Sequence, residues 1–331
     1  MPAAYTHITL VKQLSTFQIL KKANIQREII FFILDKSNFC ELGAMSPDYP
    51  CILGGFSPGD EIWTEKMHYE QAESFVKNAI QEINSIQESN RDILIAWLFG
   101  YVSHMVADMV IHAVVESKVG TYDIGSTNHR ICELNQDVHI FSSNNLGDTK
   151  SCEVLDPIIK ECSELHSDKN DGYILSKLKV FGLKGINSKL NNFWTNVLKK
   201  TYPEVNSSPS IDNWHISFLQ TLDKIVEDNN FPLLTSHYLS QEKGIVHPLE
   251  NKVDDKYISK LPTPTGWKDY DIIFKKAKKH TLEAWKLISD NIIVSSSDIN
   301  LSYFKDWDFG TGRYSTTGKY AFWSEEYEKD I

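Results

Sequence analysis

The stretch from Ile93 to Val115 constrains this chain most. It is long and apolar enough to cross a bilayer, yet His104, Asp108 and His112 interrupt it. Ionisable groups are costly in a hydrocarbon core, so the segment is expected as a buried helix of a globular protein, with no transmembrane span. A four-residue step on an α-helix turns the side chain by only about 40°, so the three residues share one stripe. Three ionisable groups buried along one stripe need something to pair with them, and imidazoles with a carboxylate are metal-binding types.

Helical patterns dominate the rest. Phe75, Ile80, Ile83 and Ile86 follow the 3.6-residue period, Asn90 stands as a cap before the long helix, and further helices are predicted at Thr9 to Leu34, Thr127 to Phe141, Val154 to Leu165, Ser176 to Leu198, Ile211 to Val226 and Tyr270 to Ile293. Clusters of Gly, Pro, Ser and Asn predict loops at Gly43 to Pro58, Ser142 to Lys150, Ser207 to Ser210 and Leu261 to Gly266. Strand signals are weak, and no repeat or low-complexity tract divides the chain. The expectation is an all-α multi-helix bundle forming a single domain over residues 1–331, with a ligand core in 1–140 and a helical C-terminal part in 141–331.

Composition narrows the function. With 34 Lys and Arg against 44 Asp and Glu, the formal net charge is −10, which opposes non-specific binding to phosphate polymers, so no stable nucleic-acid partner is expected. Five cysteines without a CxxC spacing fit a reducing compartment. The residues from Met1 lack a basic segment followed by an apolar core, so a cytoplasmic location is expected, with export by a specialised route as the other course. Phe309-Gly310-Thr311-Gly312-Arg313 follows no strand signal and reads as a loop rather than a nucleotide fingerprint. The aromatic tail from Tyr303 to Trp323 reads as packing, with contact to an apolar substrate as its second use. Lys275, Lys276, Lys278 and Lys279 read as a solvated helix face. His139, His166, His215, His237, His247 and His280 lack a partner pattern and read as surface or packing residues.

The metal pattern continues past the long helix. His129 and Glu133 repeat the four-residue step, with Asp137 one step further, so two short-connected helices would face each other with ligands inward. Imidazole plus carboxylate without thiolate suits Zn²⁺ in a catalytic role, with iron or manganese as alternatives.

Taken together, Thr6-His7, Gly43-Ala44-Met45-Ser46-Pro47-Asp48-Tyr49-Pro50, His68, the block from Gly100 to His112, and His129 with Glu133 resemble the zinc-dependent phospholipase C family in order and spacing. That family includes the lipase-like domain of glycosylphosphatidylinositol-specific phospholipase D, and the single-strand-specific zinc nucleases are more distant relatives. The resemblance covers residues 1 to 140. It implies a helical enzyme with two or three Zn²⁺ per chain in a cleft. Asp48, His68, His104 and Asp108 would hold one zinc, His7 with Asp108 a second, and His112, His129 and Glu133 the third. The family's second zinc also takes the amino terminus of the mature chain, a role that would fall to Pro2. Here the chain departs from the family, whose enzyme begins with Trp and has a longer spacer before its first histidine.

The implied activity is phosphodiester hydrolysis on a phospholipid or another phosphodiester, with a metal-activated water as nucleophile near neutral pH and Asp48 as the catalytic carboxylate that orients or deprotonates that water. Ser46-Pro47-Asp48-Tyr49-Pro50 also reads as a turn in its own right. Two other uses of the same cluster stay open: a zinc nuclease, and an intracellular metal-dependent enzyme acting on a small metabolite in a biosynthetic pathway.

Overall fold

Residue by residue, the computed structural model describes 4–50, 59–86, 91–147, 154–164, 185–228, 247–292 and 299–324, without the side chains of 122–126, 156 and 221–228. The long apolar segment is the axis of the molecule, helix α7 (Arg91–Val119), and every side chain from Leu94 to Val115 is buried. At about 1.5 Å per residue it runs to roughly 43 Å. It is long and apolar enough to cross a membrane, but the span that qualifies lies almost wholly inside the protein. A helix that is apolar on all faces is a core helix when other helices cover it on every side.

Those helices come from both ends of the chain. The segment predicted as one helix from Thr9 to Leu34 is three: α1 (Ala4–Leu14), α2 (Phe17–Lys22) and α3 (Arg27–Asp35). Thr16 stops the first and caps the second through its side chain, and Asn24 takes a left-handed φ of 57°. Next come α4 (Ser37–Met45), a single 3-10 turn at Ser46–Asp48, α5 (Glu61–Tyr69) and α6 (Ala72–Ser85), then α7 and α8 (Tyr122–Ser143), which starts before the predicted Thr127. The later helices are α9 (Leu155–Glu161), α10 (Ser188–Thr201), α11 (Ile211–Asp228) and α12 (Tyr270–Ile292). Asn187 caps α10, which therefore begins well after Ser176; 176–184 and the Asn90 cap lie outside the described residues.

The fold is all-α with three short antiparallel pairs among the described residues. These are β1 (Ser163–Glu164) with β2 (Gly185–Ile186), β3 (Leu261–Thr263) with β4 (Gly266–Lys268), and β5 (Trp307–Asp308) with β6 (Arg313–Tyr314). The predicted loops Leu261 to Gly266 and Phe309 to Arg313 are thus hairpin turns. α4 and α12 make the broadest contacts with α7, and α1, α3, α6 and α8 complete the ring. One continuous core reaches from Tyr5 to Trp323, so residues beyond 141 pack on the same axis as the ligand core. The aromatic tail is packing: Phe304, Trp307, Phe309, Phe322 and Trp323 are buried. The lysine cluster is not all solvated, because Lys276 is buried with its ammonium 4.7 Å from the Trp323 ring centroid, and Lys278 bonds Gln13 at 2.5 Å.

Where α4 crosses α7 the backbones touch. A Cβ on Gly43 would lie 2.1 Å from the Trp97 carbonyl oxygen, and one on Gly100 would lie 1.8 Å from that of Cys40. Gly43, predicted in a loop, is inside α4 because only glycine lets the two helices approach this closely. That crossing brings the C-terminal carbonyls of α4 up to the ligand stripe of α7.

Candidate metal centre

Four elements converge beside the middle of α7. α7 contributes His104 and Asp108, α1 contributes His7, the turn after α4 contributes Asp48, and α5 contributes His68 near its end. All five are buried. Two overlapping groups have ligand atoms within 4.8 Å of one another: His7, His104 and Asp108 in one, Asp48, His68 and His104 in the other. His104 belongs to both. The Asp108 carboxylate lies 3.3 Å from His7 Nε2, 3.2 Å from His104 Nε2 and 4.0 Å from His68 Nε2, and Asp48 lies 3.3 Å from His68 Nε2.

Backbone carbonyls fix the imidazoles. His104 Nδ1 donates to the Ala44 carbonyl at 2.8 Å, and His68 Nδ1 donates to the Thr64 carbonyl at 2.7 Å. A ring that holds its proton on Nδ1 presents an unprotonated Nε2, the arrangement of a metal ligand held by an outer partner. The His7 ring stacks on His104 with centroids 4.0 Å apart. α1 is held in turn by Asp137 of α8, whose carboxylate accepts the first-turn amides of Tyr5 at 3.3 Å and Thr6 at 2.7 Å, and the His247 ring N–H at 3.1 Å. Asp137, one step beyond Glu133, is therefore a helix cap that seats His7.

The electrostatics suit a cation. Burial, then the neighbouring His104 imidazole, lowers the His7 pKa to about 4. Burial alone would raise both carboxyls, but the surrounding imidazoles, His104 first, outweigh it and hold Asp48 and Asp108 below the usual carboxylate range. Burial works against charge on His104 too, yet Asp108 and Asp48 carry its pKa above 6.5. Both carboxylates are thus held ionised in a buried site, and their charge in turn favours a proton on His104 while His7 stays neutral.

The donor set fits a metal. Both His7 nitrogens, Nε2 of His68 and His104, Asp48 Oδ1 and both Asp108 oxygens are buried without a hydrogen-bond partner. So many orphaned donors and acceptors at one point would be expensive in a core with nothing to coordinate. Such N and O ligands match Zn²⁺.

The third ligand set is placed differently. His112 is buried, with Nδ1 donating to the Gly310 carbonyl at 3.2 Å and Nε2 buried without a hydrogen bond. His129 Nε2 donates to the Gly120 carbonyl at 2.5 Å, and Glu133 accepts a 3.0 Å bond from Arg130. Among the described residues these three do not form a group at ligand spacing as the first two sets do. Pro2 lies outside the described residues.

Some histidines set aside by the sequence are tied to the site. His215 is buried, with Nδ1 2.7 Å from the Tyr49 hydroxyl and Nε2 2.7 Å from Ser163 Oγ. Since Ser163 Oγ donates to the Ile159 carbonyl, a neutral His215 donates to Ser163 and accepts from Tyr49, the neighbour of Asp48. His247 and His280 are buried as well, with acidic partners in Asp137 and Glu283. His139 meets Asp271 at the surface, and His166 and His237 lie outside the described residues.

A family model described as zinc-dependent phospholipase C matches residues 6–228, which take in all five gathered ligands and end with α11. No curated protein and no solved structure matches the chain.

Proposed function

The chain belongs to the zinc-dependent phospholipase C family, and from that premise we propose that it hydrolyses the phosphodiester of a phospholipid to diacylglycerol and a phosphorylated head group. The observation that carries this reading is the buried, unpartnered donor set shared by His7, Asp48, His68, His104 and Asp108. Asp48, His68, His104 and Asp108 would hold one zinc, and His7 with Asp108 a second. His112, His129 and Glu133 are the proposed third set, and Pro2 a further ligand of the second. Zinc supplies Lewis acidity toward a phosphoryl oxygen and makes hydroxide accessible near neutral pH.

The protein's own residues supply orientation and charge. Asp108 is fully enclosed whereas the Asp48 side chain keeps 8% exposure, so Asp48 is the carboxylate that a solvent molecule reaches. Ionised across the neutral range, it accepts a hydrogen bond from the attacking water and aims its oxygen at phosphorus. As that P–O bond forms and the bond to the glycerol oxygen breaks, with the proton shed by the attacking water ending on the departing glycerol oxygen, the Ala44 and Thr64 carbonyls keep the His104 and His68 rings in fixed register, so little reorganisation accompanies the build-up of charge.

Elemental analysis of protein prepared without chelator tests the metal reading, with two or three zinc equivalents expected. Less than one transition-metal equivalent, with no gain on reconstitution, overturns it. Substrate class is read on the same zinc-loaded preparation. Turnover of short-chain phosphatidylcholine or phosphatidylethanolamine is expected, with little cleavage of single-stranded DNA or RNA. Robust nucleic-acid cleavage without lipid turnover refutes the lipid reading in favour of a nuclease, and silence on both refutes it in favour of a small phosphoester.

A further inference from the structure

The β5–β6 hairpin lies beyond the segment that carries the family match, yet its tip touches two proposed ligands. The Phe309 amide donates to the His68 carbonyl at 3.0 Å, and the Phe309 ring stands 6.2 Å from the His68 ring. One residue on, the Gly310 carbonyl accepts from His112 Nδ1 at 3.2 Å. The turn closes through the Gly312 amide on the Asp308 carbonyl at 2.9 Å.

The approach depends on both glycines. A Cβ on Gly310 would lie 2.5 Å from the Tyr69 ring. Gly312 has φ +68°, and a Cβ there would lie 2.5 Å from the Met109 carbonyl oxygen and 2.9 Å from the Ala113 side chain. Met109 and Ala113 flank His112 on α7. The following chain is stitched to the same stretch: Ala321 donates to the Gly312 carbonyl at 3.0 Å, and the Trp323 indole N–H donates to the Val110 carbonyl at 2.9 Å.

We propose that the Gly310-Thr311-Gly312 tip is a positioning element of the metal centre, its Gly310 carbonyl holding the His112 proton on Nδ1 and so presenting Nε2 as the ligand atom. The proposal rests on the reading of His112 as a zinc ligand. A carbonyl partner of this kind fixes both the tautomer and the orientation of a ligating ring. The carbonyl cannot be removed by substitution, but the approach that delivers it can, because alanine at position 312 meets the α7 backbone. Loss of an outer partner lowers metal affinity by about 10–100-fold.

Imidazole nitrogen NMR of the wild-type protein, metal-free and zinc-loaded, reads the tautomer directly, with His112 expected to carry its proton on Nδ1. Competition titration with zinc on folded Gly312→Ala, checked by circular dichroism, is expected to show about 10–100-fold weaker binding of one equivalent and a mixed His112 tautomer. A wild-type His112 protonated on Nε2, or a Gly312→Ala protein with unchanged affinity and tautomer, overturns the proposal. The wild-type spectrum decides alone if Gly312→Ala does not fold. His112→Gln separates the two layers: if it keeps every zinc at wild-type affinity the ligand reading fails. If it loses one while the wild-type ring is protonated on Nε2, only the hairpin's role fails.

Discussion

Two ligand sets share α7 and differ in what faces their carboxylates. In the first, Asp48 and Asp108 face His7, His68 and His104; in the second, Glu133 faces the Arg130 guanidinium. An imidazolium balances a carboxylate only until a metal arrives, since its proton is displaceable and metal binding to histidine releases it. A guanidinium does not give up its charge at any ordinary pH. The charge facing the first set's carboxylates is thus favoured on His104, as a proton that a divalent cation can replace, whereas Glu133 already has a permanent partner. The families of residues are the same, His and Asp or Glu at four-residue spacing, but the neighbouring cation separates a site poised for metal from one whose carboxylate already shares an oxygen with Arg130.

The largest effect should follow from Asp108→Asn. This carboxylate approaches three imidazoles, and removing its charge weakens every proposed zinc that shares it. Activity on the best phosphodiester is expected to fall by more than the roughly 10–100-fold that an outer partner costs, with loss of bound zinc and helical circular dichroism unchanged. Wild-type turnover in this variant would mean that the first set is not the working site.

How much of this contrast the chain announces depends on sequence distance. The α7 stripe is legible because His104, Asp108 and His112 sit at helical spacing in an otherwise apolar run, where burial has to be compensated. Pattern alone does not bring His7, Asp48 and His68 to that stripe; their place comes from the family resemblance, and the four-element convergence is what the fold adds. The missed residues pair across long separations: His215 reaches Tyr49 166 residues away, and His247 reaches Asp137 110 residues away. No periodicity encodes such contacts. Gly43 misleads in the opposite direction, because glycine marks a loop and a close backbone approach alike. Arg130, between His129 and Glu133, was the visible clue that the second set differs, since an arginine three residues before a glutamate on a helix is within pairing reach.

The second prediction concerns how the first set is held in place. Asp137 accepts two amides at the start of α1 and the His247 ring, and a bond to a charged group contributes about 1.5–3 kcal/mol. Asp137→Asn keeps the shape but loses the charge at the helix N-terminus, so chelated protein should unfold with a loss of about 3 kcal/mol. Zinc affinity should fall with it, because α1 carries His7. Denaturant titration with and without zinc checks both, and an unchanged midpoint would show that α1 is seated by packing alone.

Next in size is Tyr49→Phe. The ring stays packed against Trp194 and Phe218, but His215 Nδ1 loses the hydroxyl at 2.7 Å. A buried acceptor left without its donor costs about 1–3 kcal/mol. Because Tyr49 adjoins Asp48, zinc affinity should weaken several-fold as well, and His215→Gln added to Tyr49→Phe should cost less than the sum of the two. Strict additivity in stability would show that the two side chains act independently.

The smallest effect is expected where the comparison is most exposed to failure. Glu133→Gln removes the carboxylate that Arg130 holds at 3.0 Å, while leaving an amide oxygen to accept that bond. If Arg130 is the working partner of Glu133, the five gathered ligands keep their geometry, and the tighter zinc equivalents should bind within about threefold of wild type, as independent sites do. At most one equivalent should be lost. Should Glu133→Gln strip as much zinc as Asp108→Asn, Arg130 must yield Glu133 to a metal on loading, and the distinction between the sets would belong to the metal-free protein alone. Arg130→Gln discriminates further: freeing Glu133 from a permanent cation should tighten zinc binding at the His112 side, and weaker binding there would show the guanidinium to be a support of that set rather than its competitor.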